Sequence, residues 1–129
     1  MVVDSSILIA IFLAEPDRDA LLEVYSAASH RSISAVNLVE TSMVLEARLG
    51  RHAGPQFDMF VRQTELAIHP VDVRQWEGAR QAWRRFGRGN HAARLNFGDC
   101  FAYALAHSLG EPLLYKGRDF AQTDVLPAI

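Results

Sequence analysis

Asn96-Phe97-Gly98-Asp99-Cys100-Phe101-Ala102-Tyr103-Ala104-Leu105-Ala106-His107-Ser108-Leu109-Gly110, followed by Pro112-Leu113-Leu114-Tyr115, joins a helix to a strand. Asn96 precedes an apolar-periodic run and is followed three residues later by Asp99, the pattern of a capped helix start. Gly110 supplies the stop. This predicts a helix over Phe97–Leu109 and a strand over Leu113–Tyr115. The alternation repeats toward the N-terminus. Met1-Val2-Val3 is a short apolar strand ending at Asp4, which with Ser5 can cap an apolar helix over Ile7–Ala14. Glu15-Pro16-Asp17 breaks that helix and opens another from about Arg18 to Ser29. Ser32-Ile33-Ser34 is a second strand, and Asn37 caps a helix that ends near Gly50. Gly54-Pro55 reads as a turn before a helix over Gln56–Glu65. Leu66–His69 is a third strand, and Asp72 begins a helix running through Trp76, Ala79 and Trp83 to Phe86. A loop over Gly87–His91 and a short edge strand near Val125-Leu126 complete the pattern. Short apolar strands separated by helices indicate an α/β fold with a mostly parallel central sheet covered on both faces.

Composition bounds what such a chain can be. Its 129 residues suit one domain, and 50% hydrophobic content supports a sizeable core. No apolar run approaches a membrane span and no basic leader precedes the first apolar run, so a cytoplasmic location is expected. Cys100 is the single cysteine, which excludes an intrachain disulfide and a multi-thiolate zinc site. The five histidines fall in unrelated segments and form no metal-binding pair. The net charge of -2 is not a nucleic-acid-binding signature as a whole.

Four acids stand out by position. Asp4 ends the first strand, Asp119 follows the last, and Glu40 and Asp99 lie in the first turns of helices that start after strand ends. In an open parallel sheet, ligands collect outside the carboxyl ends of the strands, so all four side chains are expected in one cleft. Carboxylates gathered there repel one another unless a counter-charge holds them ionised. Magnesium, with manganese as a possible substitute, meets that need through hard oxygen ligands, and the chemistry implied is metal-assisted phosphodiester hydrolysis. Each acid also has a structural explanation. Asn37–Glu40 and Asn96–Asp99 both have capping-box spacing, Asp4 can cap a helix, and Asp119 can be a loop carboxylate.

On these residues the chain resembles the PIN-domain ribonucleases, in particular VapC-type toxins of bacterial toxin–antitoxin systems. The resemblance runs through Val3-Asp4-Ser5-Ser6, Val36-Asn37-Leu38-Val39-Glu40, Leu95–Ala106 and Pro112–Phe120, with Asn96-Phe97-Gly98-Asp99-Cys100 its most specific part. It implies a three-layer α/β/α fold over residues 1–129 and a magnesium-dependent endoribonuclease. It also implies an acidic core of Asp4, Glu40 and Asp99 that binds the metal, with Asp119 as a fourth catalytic acid and Ser6 as a supporting residue. A homodimer and a cognate VapB-type antitoxin whose tail blocks the cleft are further implications. The chain departs from the family where an acid often stands one or two positions before Asp119, at Gly117 and Arg118 here, and where threonine is common near Tyr115. The fourth acid is therefore open between Asp119 and Asp124.

Between Gly78 and Gly98 the chain carries Arg80, Arg84, Arg85, Arg88 and Arg94 and no acid. Arg80, Arg84 and Arg88 recur at intervals of four. They can line one helix face toward RNA phosphates or form a plain solvated face. Trp76 and Trp83 share that helix and are expected in the core. Ile7, Ile9, Ile11, Phe12 and Leu13 serve either the core or a dimer contact. Two other readings compete: a phosphatase acting through a phospho-aspartate at Asp4, although position 6 is serine where a second aspartate is wanted, and a non-catalytic interaction module whose acids are caps.

Overall fold

The computed structural model describes all residues from Met1 to Ile129. Four short strands, β1 (Val2–Val3), β2 (Ser32–Ser34), β3 (Ala67–His69) and β4 (Leu113–Leu114), pair in the order β3-β2-β1-β4. Every pairing is parallel. The helices α1 (Ser5–Phe12), α2 (Arg18–Ala27), α3 (Ala35–Leu49), α4 (Ala53–Gln63), α5 (Val73–Phe86) and α6 (Phe97–Leu109) make the crossovers. No helix is long and apolar enough to cross a membrane.

Alternation along the strands distributes this sheet between two cores. Val2 and Leu113 pack into a cluster with α5 and α6 residues such as Ala82, Phe86, Tyr103 and Leu105. Their neighbours Val3 and Leu114 join Ile33 in a cluster with Ile7, Leu8, Leu45 and Phe57 from the other helices. One residue of β1 faces each layer, as the period of two requires. The result is the three-layer α/β/α arrangement. Of the apolar front residues, Ile7 and Ile11 are buried in the second core, Phe12 and Leu13 pack partly buried against it, and Ile9 is half-buried.

Chain order fixes where ligands can collect. From β1 the chain moves outward to β2 and β3, then crosses to the opposite side of β1 to form β4. The switch in direction lies between β1 and β4, where such sheets open a crevice at their carboxyl ends. Asp4 is the first residue past β1, and its backbone N–H donates to the Leu114 carbonyl at 2.9 Å, tying the two strand ends together.

Several local expectations are corrected. Ser34, not Asn37, caps α3: its hydroxyl accepts from the Val36 N–H at 3.3 Å. The helix starts directly after β2 with no loop, which puts Asn37 inside its first turn with no solvent exposure. There the Asn37 amide donates to the Gly98 carbonyl at 2.9 Å and to Ser5 Oγ at 3.3 Å, joining α3 to α6 and α1. Gly54-Pro55 is no turn but the first turn of α4, where the missing proline N–H would have had no partner. The C-terminal edge strand reduces to one bridge between Leu113 and Pro127. Trp76 and Trp83 are 51% and 49% exposed rather than core residues. The residues of α5 that do pack inward are Ala79, Ala82 and Phe86. The capping box of Asn96 and Asp99 forms as expected, and Gly110 ends α6 in the left-handed region at φ 65°.

Asn37→Ala removes the only side-chain donor to the Gly98 carbonyl and with it the buried tie from α3 to α6 and Ser5. The expected loss is about 1–3 kcal/mol of stability. Chemical denaturation measures it, and an unchanged midpoint would show that the cross-tie contributes nothing.

Candidate functional site

The acids at the carboxyl edge are each held by a short-range partner. Asp4 is buried, 5% exposed, and its Oδ2 accepts from the Ser6 backbone N–H at 3.0 Å and from Ser6 Oγ at 2.5 Å. Ser6 Oγ in turn accepts from the Lys116 N–H at 3.1 Å, so the hydroxyl links α1 to the loop after β4. Ser6 therefore sits where a supporting residue was expected. Burial is the largest influence on Asp4 and raises its pKa, the Ser6 bonds oppose the rise, and the charge of Glu40 adds to it.

Glu40 lies one turn beyond the buried Asn37. The expected capping role is corrected: the α3 cap is made by Ser34, and the Glu40 carboxylate instead accepts from the Ser5 hydroxyl. It also lies against α6 at Gly98, where an added Cβ would come within 2.5 Å of Glu40 Oε2. A side chain at position 98 would therefore push the Glu40 carboxylate out of its present place.

Asp99 has both roles the sequence allowed. Its Oδ2 accepts from the Asn96 N–H at 2.9 Å, which completes the capping box. Its pKa is pushed up to about 7, first by burial and then by the charges of Asp4, Asp119 and Glu40, against the lowering effect of the Asn96 bond. Asp119 is exposed and caps no N–H, yet it is close enough to act on Asp99. Asp124 is not its substitute. It accepts from Tyr103 Oη at 2.5 Å and from Arg85 Nη2 at 3.1 Å, engaged in a contact between the C-terminal segment and α5 and α6.

Thus Asp4, Glu40, Asp99 and Asp119 share one electrostatic neighbourhood beside the switch point. No three histidine, cysteine, aspartate or glutamate side chains form a ready-made metal cage. The hydrogen bonds explain this: Asp4 is drawn to Ser6, Glu40 to Ser5 and Asp99 to its own helix cap. The donor set consists of hard oxygens with uncompensated mutual repulsion, which is what magnesium or manganese takes, and magnesium commonly uses only one or two carboxylates with water completing its shell. The residues fit such an ion on chemistry.

Sequence reasoning missed three contributors. Ser5 orients Glu40, and Asn37 braces Ser5 against Gly98. Lys116 Nζ contacts Glu15 and lies 2.8 Å from Asp17 Oδ1 while its backbone N–H reaches Ser6. An Asn three residues ahead of Glu40 looks like a cap in sequence, and only the loopless β2–α3 junction reveals otherwise. The single cysteine is inert, since burial pushes the Cys100 thiol up to about 11. None of the histidines bonds to the four site acids: His30 is on Glu111, His69 on Ser32, and His107 is stacked on Tyr103.

The arginines do not form one strip. Arg80 lies 4.5 Å over the Trp76 ring. Arg88 and Arg94 flank a shallow depression with Asn90 and His91. Arg85 is turned away to Tyr103 and Asp124, so its expected place in an RNA-facing strip is corrected. Arg84 is exposed on the same helix.

Comparison with known proteins agrees with this geometry. The family model described as PIN domain matches residues 1–126. The chain is 43% identical over 125 residues to "Ribonuclease VapC" of Mycolicibacterium smegmatis, covering 97% of each. It is 40% identical over 125 residues to "Ribonuclease VapC30" of Mycobacterium tuberculosis, covering 97% of this chain and 95% of that one. The crystal structure of the Mycobacterium tuberculosis toxin VapC20, described as cleaving the sarcin-ricin loop, superposes with a TM-score of 0.80 over 97% of this chain and 95% of its own. At 19% identity that likeness speaks for the fold alone. The chain belongs to the PIN domain family, among its VapC-type members.

Proposed function

We propose that this protein is a metal-dependent endoribonuclease and the toxin of a toxin–antitoxin pair, hydrolysing RNA phosphodiester bonds at the acidic crevice between β1 and β4. The observation that carries the reading is Asp99, held near neutrality by burial and by three other carboxylates at the one edge where a parallel sheet binds ligands. Relatives named as ribonucleases along nearly their whole length support it. A VapB-type antitoxin partner, a homodimer and a cytoplasmic setting belong to the same reading.

Asp4, Asp99 and Glu40 would hold magnesium or manganese. Such an ion, when bound, supplies a polarised water and stabilises charge developing on a phosphate. The chain's own residues do the positioning. Ser6 fixes Asp4, Ser5 fixes Glu40, and the Asn96 N–H fixes Asp99. Asp119 adds a fourth negative charge at the exposed rim, and Arg88 and Arg94 offer donors to backbone phosphates.

Asp99→Asn keeps an oxygen acceptor for the Asn96 N–H and removes a repelling charge. The expected outcome is a folded protein that no longer cleaves RNA, with metal-free stability at neutral pH equal to or above that of the parent. Gel assays of labelled RNA with and without chelator, beside thermal melts, check both halves. Parent-like cleavage by the variant would remove Asp99 from the site.

The raised pKa of Asp99 sets a pH dependence in the metal-free protein. The folded form holds the proton more tightly than the unfolded form, so this contribution to stability is complete below pH 3.8 and fades as pH rises through about 7. A divalent ion reverses the preference, because it binds the deprotonated carboxylate. The increase in melting temperature caused by millimolar magnesium or manganese should therefore be larger at pH 7.5 than at pH 5.5 (about, by the position of that titration). Absence of any metal-induced shift across this range favours the non-catalytic interaction module.

A further inference from the structure

The two tryptophans of α5 lie at an open groove of about 590 Å³ between α5 and the start of α6. Trp76 and Trp83 line it with Phe97, which is 74% exposed, and the only charged side chains at its wall are Arg80 and Arg88. Each indole has a close neighbour. The Arg80 guanidinium sits over Trp76. Trp83 packs so closely on Gly87 that an added Cβ would lie 2.4 Å from its ring Cδ1. Half-exposed but positioned aromatic rings present flat apolar faces without a further ordering cost.

The groove is continuous with two other features. Its wall includes Asn96, the residue whose side chain and N–H bracket Asp99. Arg88, whose backbone N–H donates to the Leu95 carbonyl at 3.0 Å beside Asn96, also borders the depression containing Arg94. The aromatic groove thus shares Asn96 with the acidic site and Arg88 with the cationic depression. We propose that the groove is a stacking subsite for unpaired bases of the RNA strand, resting on the ribonuclease reading of the neighbouring acids. Bases lie against Trp83, Phe97 and the Arg80–Trp76 pair, and the strand's phosphates face Arg88 and Arg94. Charge selects this occupant: a groove whose only charges are cationic suits a polyanion that carries planar rings. A second copy docked here about a two-fold axis would bring each copy's arginines toward the same patch of its partner. Paired bases hide their faces in the helical stack, so the subsite selects single-stranded or looped RNA.

The chain contains two tryptophans, so its intrinsic tryptophan emission reports on this groove alone. The experiment titrates the full-length protein, in chelator, with a short single-stranded oligouridylate and with a duplex RNA of the same length. Saturable quenching or shifting of the emission by the single strand and not by the duplex is expected. Trp83→Ala should weaken single-strand binding about tenfold, with Trp83→Phe restoring most of it. In metal-supported cleavage the same alanine variant should raise KM with little change in kcat. RNA that is bound and cleaved while the emission stays constant overturns the subsite and leaves the ribonuclease reading standing. Emission that instead follows protein concentration, in step with dimer formation in sedimentation, also overturns it by placing a second copy on the groove. If no RNA is bound or cleaved with any divalent metal, the ribonuclease reading falls and the subsite falls with it.

Discussion

Like charges brought to the carboxyl edge of a parallel sheet oppose folding, and the local structure around β1 and β4 is arranged to contain that opposition. Asp4 follows a two-residue strand and is buried, Asp99 begins a helix, and Glu40 reaches across from α3. None is neutralised by a lysine or arginine in an ion pair. Instead, serine hydroxyls and helix-start N–H groups take up the carboxylate oxygens. Hydrogen bonds of this kind favour the ionised form, while burial and repulsion favour the protonated one. For Asp4 and Asp99 burial is the larger effect, so repulsion is contained rather than removed.

The packing that holds these acids close depends on small residues and short connections. β2 passes into α3 without a loop, which buries Asn37 and lets its amide span to α6. Gly98 permits the Glu40 carboxylate to lie against the first turn of α6. Ser5 is bonded to Glu40 and accepts from the Asn37 amide. The same few groups therefore define the helix junctions and the orientation of the acids. Stability and site geometry are coupled here, and a change at Asn37 or Gly98 acts on both.

Fold class was legible because it rests on features that a linear pattern records: short apolar strands, helix stops at glycine, and the capping spacing of Asn96 and Asp99. The gathering of the acids was legible for the same reason, since position after a strand translates directly into position at one sheet edge. Partners set by three-dimensional junctions were not. Asn37 has the spacing of a cap relative to Glu40, and the absence of a loop before it turns that residue into an internal tie. Asp124 looked interchangeable with Asp119, yet the return of the chain beside β4 delivers it to Tyr103 and Arg85. Gly54-Pro55 has turn composition, but proline is equally suited to a first helical turn.

The exposed tryptophans show why residue size misleads when read without the opposing surface. Trp76, Arg80 and Trp83 lie at i, i+4 and i+7, a single stripe along α5, while Ala79, Ala82 and Phe86 form the stripe that is buried. Contact with α6 is made through small groups: an added Cβ on Gly78 would stand 3.2 Å from the Ala104 Cβ. Two helices that meet through glycine and alanine approach too closely to admit an indole between them. The large rings are displaced to the flank of the contact, and there they remain half exposed next to Asn96. Burying these rings at the contact would have held α5 farther from α6. Close helix packing and an open aromatic groove are consequences of one choice of small residues at the α5–α6 contact.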